Sequence, residues 1–259
     1  MRHSSTGQCA RIQRTPLLRT RFAHSKLASR GRAPNMNQRV AVLSILAAVG
    51  LCTSSAAGQQ RAIEPDLAKL ASGRGLQVLV SNRSVTGFTD GARQGLRLSE
   101  GPGEGPAYLE GVDFAGGTIE LDVRGKDVQG GSFVGVAFLG VDSTTFDAIY
   151  FRPFNFRAAD STRRAHAVQY IAQPTYTWQK LRAEHSGVYE KAVNPAPDPN
   201  GWFHVRVVVA GSQVRVFVDG AAEPSLVVTR LSERTKGLVG FWVGNGSGGD
   251  FANLRIRPE

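Results

Sequence analysis

Cysteine is nearly absent. The 259 residues hold two, Cys9 and Cys52, and both lie within the first 57 positions. Beyond them there is no thiol, which excludes disulfide frameworks, thiolate metal sites and cysteine nucleophiles. Acid is missing from that same stretch. Residues 1–57 carry nine of the 31 basic side chains (Arg2, Arg11, Arg14, Arg19, Arg21, Lys26, Arg30, Arg32 and Arg39) and no Asp or Glu. The rest of the chain therefore sets 22 basic residues against all 21 acidic ones. A near-neutral domain of that kind is no phosphate-backbone binder, so no nucleic-acid partner is expected. Long apolar runs are lacking too. The charge-free segment VAVLSILAAVGL covers residues 40–51, shorter than the roughly 20 residues a membrane span requires. Histidine shows no metal pattern: His166, His185 and His204 have no H-x-H, H-x-x-x-H or H-E-x-x-H spacing.

The short apolar run has another meaning. Asn37, Gln38 and Arg39 precede it, and Ser55-Ala56-Ala57 follows with small residues. This is the order of a secretory signal peptide over 36–57, cleaved after Ala57. Met36 is placed to be the initiator, which makes 1–35 an upstream extension read in frame. The competing reading of 1–35 is a transit-type segment, because it is Arg- and Ser-rich. Leu51 precedes Cys52 where a lipid-attachment motif needs a small residue. The expected location is secreted, or periplasmic in a cell with an outer membrane. Residues 58–74 form a linker with one short helix over Arg61–Gly73. There Ile63, Leu67, Leu70 and Ala71 share a face and Pro65 suits the first turn.

From residue 75 to 259 the apolar period is two. GLQVLVS (75–81), GLRLSE (95–100), GTIELDVRG (117–125), SFVGVAFLG (132–140), FDAIYFRPF (146–154), AHAVQYIA (165–172), WFHVRVVVA (202–210), QVRVFVDG (213–220), SLVVTRL (225–231), GLVGFWVG (237–244) and FANLRIRP (251–258) all read as strands. No helix-length periodic segment intervenes, so the fold class is all-β, a two-sheet antiparallel sandwich. Ala210, Gly211 and Ser212 join the clearest hairpin. Its Val205, Val207, Val209, Val214, Val216 and Val218 are expected to face the core. Residues 173–200 read as one long loop carrying Tyr176, Trp178 and Tyr189.

Candidate site residues lie opposite the apolar alternation. In TIELDV, Glu120 and Asp122 project together, about 7 Å apart by strand rise, a spacing that suits paired carboxylates in glycoside hydrolysis. A neighbouring arginine would make the same pair purely structural. In YFRPFNFR (150–157), Tyr150 and Arg152 share a face, and Pro153 suggests an edge strand or bulge. His204 and Arg206 alternate outward with Trp202, and Gln169 stands opposite Tyr170. Trp178 is expected to reach in from the long loop, and Trp242 to pack in the core. Together these predict one open face with Glu120, Asp122, Tyr150, Arg152, Gln169, His204, Arg206 and Trp178. GNGSGG (244–249) leads into a strand rather than a helix, so it reads as a β-turn and not a dinucleotide loop. Asp250 and Asn253 offer oxygens to a Ca²⁺ ion without a D-x-D-x-D-G loop; otherwise no cofactor is expected.

The ordered run GTIELDVRG, SFVGVAFLG, YFRPFNFR, HAVQY, WFHVRVVV, VRVFVDG and GFWVGNGSGGDFANLRI resembles the concanavalin A-like lectin/glucanase superfamily over residues 75–258. It is most similar to its laminin-G-like and 3-keto-disaccharide hydrolase group. LVSNRSVTGF (79–88) stands where that group has an L-F-(D/N)-G-K-x-L-x-G-W string. TIELDV is similar to the E-x-D-x-x-E strand of laminarinase-type glucanases, with Gly125 at the third acid. The resemblance implies a jelly roll whose concave sheet faces a glycan. Three functions remain open: a secreted, lectin-like carbohydrate-binding domain; a hydrolase of the keto-disaccharide type using Glu120 and Asp122; and an adhesion or scaffold sandwich that binds protein. The expected partner is a carbohydrate or glycoconjugate, and the expected state is a monomer.

N-terminal sequencing of exported protein should find Gly58 first, both from the full chain and from one begun at Met36. Recovery of a lipid-bearing Cys52 in the mature protein would refute this boundary.

Overall fold

A computed structural model describes residues 61–259; the proposed upstream extension (1–35) and signal peptide (36–57) lie outside the described residues. Fourteen strands follow one another in the order β1 (Val78–Val80), β2 (Val85–Asp90), β3 (Arg93–Leu98), β4 (Gly105–Phe114), β5 (Gly117–Arg124), β6 (Val134–Gly140), β7 (Asp147–Phe151), β8 (Val168–Ala172), β9 (Glu190–Lys191), β10 (Phe203–Ala210), β11 (Gln213–Val218), β12 (Leu226–Thr229), β13 (Gly237–Val243) and β14 (Gly249–Pro258). They form two antiparallel seven-stranded sheets. Sheet I has the order β1-β4-β13-β6-β7-β8-β9, and sheet II the order β12-β11-β10-β5-β14-β3-β2. Among the described residues no helix is long and apolar enough to cross a membrane.

The core lies between the sheets and follows the alternation. Val205, Val207 and Val209 of β10, and Val214, Val216 and Val218 of β11, are at most 1% exposed, and Val207 pairs with Val216 in register. Aromatic pairs join the layers: Phe241 of sheet I meets Phe251 of sheet II with centroids 4.9 Å apart, and Phe151 meets Phe203 at 5.2 Å. Those contacts fix the outward face of sheet I, because Trp242 and Tyr150 are the sequence neighbours of the inward Phe241 and Phe151. The hairpin turn is Gly211-Ser212, with Ala210 paired to Gln213 and Gly211 at φ 54°. A residue with a Cβ resists that left-handed conformation. GNGSGG is a turn from β13 to β14, carrying the chain from sheet I to sheet II.

Several elements differ from the sequence expectation. The helix over 61–73 shrinks to α1 (Leu67–Ala71), because Asp66 caps it by accepting from Lys69 N at 3.1 Å. Ile63 instead pairs with Ile256 of β14 through backbone hydrogen bonds of 2.8 and 2.9 Å. β2, β4 and β9 have no counterpart in the expected list. In β4, GPAYLEGVDF, Gly105, Pro106 and Gly111 break the pattern that reveals a strand. Pro153 marks no edge: β7 is interior, flanked by β6 and β8, and Pro153 opens a 3-10 turn over Pro153–Asn155 after the strand has ended. A second short helix, α2 (Ser161–Arg164), precedes β8. The long loop contains α3 (Trp178–Glu184), whose cap Thr177 accepts from Lys180 N at 3.3 Å.

β6, β7 and β8 are buried along their whole length, so these three strands of sheet I are covered on both faces. Gly140 shows how tight the packing is, because a Cβ there would lie 2.8 Å from the Tyr108 ring. A bulge interrupts β6 against β13, where Leu238 pairs with Gly140 and Gly240 with Ala137; Leu139 takes φ 51° there. Such bulges bend a sheet.

Val207→Ala should lower the unfolding free energy by about 1–3 kcal/mol through cavity formation, read from urea denaturation. An unchanged midpoint would mean that the strand register is shifted by one residue.

Candidate functional site

The predicted single cluster divides between the two outer faces. Glu120 and Asp122 of β5 and His204 and Arg206 of β10 lie on sheet II, with His204 opposite Asp122 and Arg206 opposite Glu120. Tyr150, Arg152 and Gln169 belong to sheet I. Stacked sheets stand about 10 Å apart, and the two sets point away from one another across the core. The shared outward alternation was the correct observation. It did not say which sheet each strand would join.

On sheet II the carboxylates are engaged. Asp122 Oδ1 lies 2.9 Å from His204 Nδ1, and Asp122 Oδ2 accepts from Asn253 Nδ2 at 2.8 Å and Arg93 Nε at 3.3 Å. Burial pushes the Asp122 carboxyl up, but these hydrogen bonds outweigh it and hold the group below its ordinary range. The bond to Asp122 raises His204, with burial opposing. A general acid needs a raised carboxyl, so the environment of Asp122 works against that role. Glu120 pairs with Arg257. Arg206 stacks on Phe217 at 3.7 Å. Asn253 sits in a β14 bulge at φ 53°, which turns its amide onto Asp122. Both oxygens of Asp250 are held by Arg97 and Arg124 at 2.5–3.1 Å, so cations already occupy the calcium candidate. Asp90 completes the network by accepting from Arg124 Nη1 and from Trp202 Nε1, whose ring stacks on Phe88 at 5.6 Å.

On sheet I the predicted residues do meet. Tyr150 OH donates to Gln169 Oε1 at 2.8 Å. Arg152 Nη2 donates to that oxygen at 2.5 Å and to Tyr150 OH at 2.6 Å. Arg152 Nη1 donates to His166 O at 2.9 Å and lies 3.6 Å from Glu190 Oε2. Glu190 accepts both prongs of Arg182, at 2.9 and 2.6 Å. Arg182 lies under Trp178 at 5.0 Å. Trp178 thus joins this group from α3, through Arg182 and Glu190. Burial pushes the Tyr150 phenol up to about 12 and lowers the Arg152 guanidinium. Glu190 is pushed up by burial but pulled further down by Arg182, His166 and Arg152.

Tyr150, Gln169, Arg152 and Glu190 form a buried layer on the outer face of sheet I. The register places Pro106, Trp242, Gly135, Tyr150, Gln169 and Glu190 in one row across sheet I. Gly135 contributes no side chain, and Trp242 and Tyr150 close over it with centroids 4.9 Å apart. The face is concave. Gln173 Nε2 donates to Glu104 Oε1 at 2.6 Å, although one residue follows β8 and the other precedes β4. Those strands are four steps apart in the sheet, about 19 Å if it were flat. The sheet therefore curls, and its flanking segments turn toward one another on this side. Between them lies a cavity of about 280 Å³ lined by Asn82, Glu104, Ser143, Thr144, Gln173 and Pro174, close to the ~300 Å³ lower end of small-molecule sites. Burial raises the Glu104 carboxyl, against hydrogen bonds from Gln173 and Trp242. Among the described residues the buried Gln169 Nε2 has no hydrogen-bond partner.

Glu104, Gln173, Asn82, Arg182 and Glu190 are new to the site. Arg182 had a local signal, since Thr177 followed by Trp178 and Leu181 reads as a capped amphipathic turn. Glu104 and Gln173 had none, because their meeting depends on the curvature of the whole sheet.

No protein-family model and no curated protein matches the chain. Among solved structures, the carbohydrate-binding module CBM66 from Bacillus subtilis superposes with a TM-score of 0.50 at 13% identity, over 69% of this chain and 94% of that one. A Bacillus subtilis protein of unknown function with a galectin-like fold gives 0.50 at 12% identity, over 77% and 96%. The exoplasmic/lumenal domain of VIP36, in its Ca²⁺/Man3GlcNAc-bound form, gives 0.48 at 10%, over 76% and 90%. The protein is a jelly-roll sandwich of the concanavalin A-like type.

Glu190→Gln should destabilise the fold by about 3–5 kcal/mol, because it leaves buried guanidiniums uncompensated. Since Glu190 titrates below its ordinary range when folded, its contribution is complete above roughly pH 4.5 and fades as the pH falls through the lower folded value. Urea midpoints of the two proteins should therefore converge in acid. A gap that does not change with pH would refute the assignment.

Proposed function

We propose that the protein is an exported glycan-binding domain that uses the concave face of sheet I. The observation that carries this reading is the cleft of about 280 Å³ on the concave side of sheet I, lined by the amides of Asn82 and Gln173, the carboxyl of Glu104 and the hydroxyls of Ser143 and Thr144. Amide, carboxyl and hydroxyl groups together donate to and accept from sugar hydroxyls. Export rests on the signal-peptide pattern of residues 36–57.

Binding is favoured over hydrolysis for chemical reasons. Glycoside cleavage takes two carboxyl groups with different tasks. Glu104 has the raised carboxyl of an acid, but Glu190 is committed to Arg182 and Arg152, and Asp142 accepts from Thr144 in its own loop. Glu120 and Asp122 are bound in ion pairs on the opposite sheet. The scaffold reading has less support: the large exposed apolar residues, such as Val128, Val141, Val188 and Val227, are scattered over separate segments.

The test is to titrate the full chain with a panel of neutral oligosaccharides that includes 3-keto-disaccharides, scoring binding and cleavage together. Saturable binding without cleavage is expected. Gln173→Leu should weaken it about tenfold, the value of one hydrogen bond, while Glu120→Gln leaves it unchanged. Cleavage of any sugar, or binding lost with Glu120 rather than Gln173, would overturn the reading.

A further inference from the structure

A larger cavity, of about 550 Å³, opens at the end of sheet II where β3, β5 and β14 meet. Its charged lining is Arg97, Arg124 and Lys126 against Glu100 and Asp250, with Asn200 beside them. The two carboxylates are not equivalent. Asp250 has a side chain 9% exposed, and its oxygens are taken by four N–H groups of Arg97 and Arg124. It fixes the guanidiniums rather than presenting charge to the cavity. Arg124 is further held by Asp90 and by the Trp202 face at 4.6 Å, and Arg97 by the Phe88 face at 5.7 Å. Both arginines are thus pre-oriented, which lowers the cost of ligand binding. Glu100 pairs with Lys126 at 2.6 Å, with side chains 59% and 61% exposed, and such surface pairs yield readily to a competitor. Among the described residues, Arg97 Nη1 and Asn200 Nδ2 donate to no acceptor.

We propose that this cavity is an oxyanion site that takes the carboxylate or sulfate group of an acidic sugar. Lys126 Nζ, Arg97 Nη1 and Asn200 Nδ2 supply the donors. The lining sets three cations against two carboxylates, and Arg124 is already answered by Asp90 and Asp250, so the donors left suit one isolated acidic group and not a polyphosphate chain, whose binders neutralise many charges at once. The volume lies in the middle of the small-molecule range, about 300–1,000 Å³, enough for a sugar ring and its substituent. The site lies on the sheet opposite the concave cleft. The choice of a sugar as carrier rests on the glycan-binding reading; the oxyanion chemistry does not.

The test uses the full chain and four probes at low salt: tetragalacturonate, its methyl ester, a chondroitin sulfate tetrasaccharide, and inorganic sulfate. Saturable binding of either acidic tetrasaccharide is expected, and the one that binds identifies the group. The methyl ester should bind about tenfold or more weakly, the loss of a charge-assisted contact. Lys126→Glu and Arg97→Gln should each lower affinity by at least about that factor, while Gln173→Leu leaves it intact. Lys126 is exposed and Lys126→Glu keeps the fold, so the test survives even if Arg97→Gln does not. An acidic tetrasaccharide and inorganic sulfate both bound with the same sensitivity to Lys126→Glu, with no neutral glycan bound anywhere, would sustain the site and remove the cleft reading. The proposal fails if neither acidic tetrasaccharide binds, if the methyl ester binds equally well, or if Lys126→Glu binds as the wild type does.

Discussion

The Glu190 carboxylate is the anion on which the covered face of sheet I depends. It is 2% exposed and stands beside three potential cations, Arg152, Arg182 and His166. Charges removed from water cost several kcal/mol each unless they are paired and hydrogen-bonded. Without Glu190, the Arg152 guanidinium could not stay buried over the Phe133 ring, 5.8 Å from its centroid. With it, one two-residue strand joins α3, β8 and the turn after β7 into a single support. Tyr150 and Gln169 are then held in fixed orientations by Arg152, and the row across the sheet becomes a rigid layer.

The two outer faces solve the same problem differently. Sheet II presents its polar side chains to water and ties them in cross-strand ladders, the usual arrangement for an antiparallel sheet with one solvated face. Glu120, Asp122, His204 and Arg257 hold strands together there and leave little free chemistry. Sheet I folds its ends over its own outer face, so polar groups on that side must find partners within the protein. Most do, through the bonds that join Tyr150, Gln169, Arg152 and Glu190.

The alternation of small strands with glycine turns made the sandwich legible, because period two and β-branched residues are local properties. The valines of β10 and β11 were readable for that reason. β4 was hidden by its own glycines and proline, and β9 is too short to carry a pattern at all. For the site, side-chain direction was legible but sheet membership was not. TIELDV and YFRPF alternate in the same way, and only the strand order places one on each side of the core. Tyr150, Arg152 and Gln169 came together because β7 and β8 are sequential neighbours. Glu104 and Gln173 lie 69 residues apart, and their meeting is a property of sheet curvature that no local window contains.

Arg83 carries a consequence of a different kind. Its guanidinium faces no carboxylate. It donates to five backbone carbonyls, those of Asn82, Pro102, Gly103, Gly244 and Ser247, at 2.7–3.2 Å. Carboxylates lose their charge in acid, and the ladders of sheet II loosen with them. A carbonyl has no proton to gain, so the corner where the β13–β14 turn meets the loop before β4 is insulated from acidity. As the pH falls this corner, close beside the segment that carries Glu104, should keep its contacts while the ladders of sheet II and the Glu190 support of sheet I lose theirs.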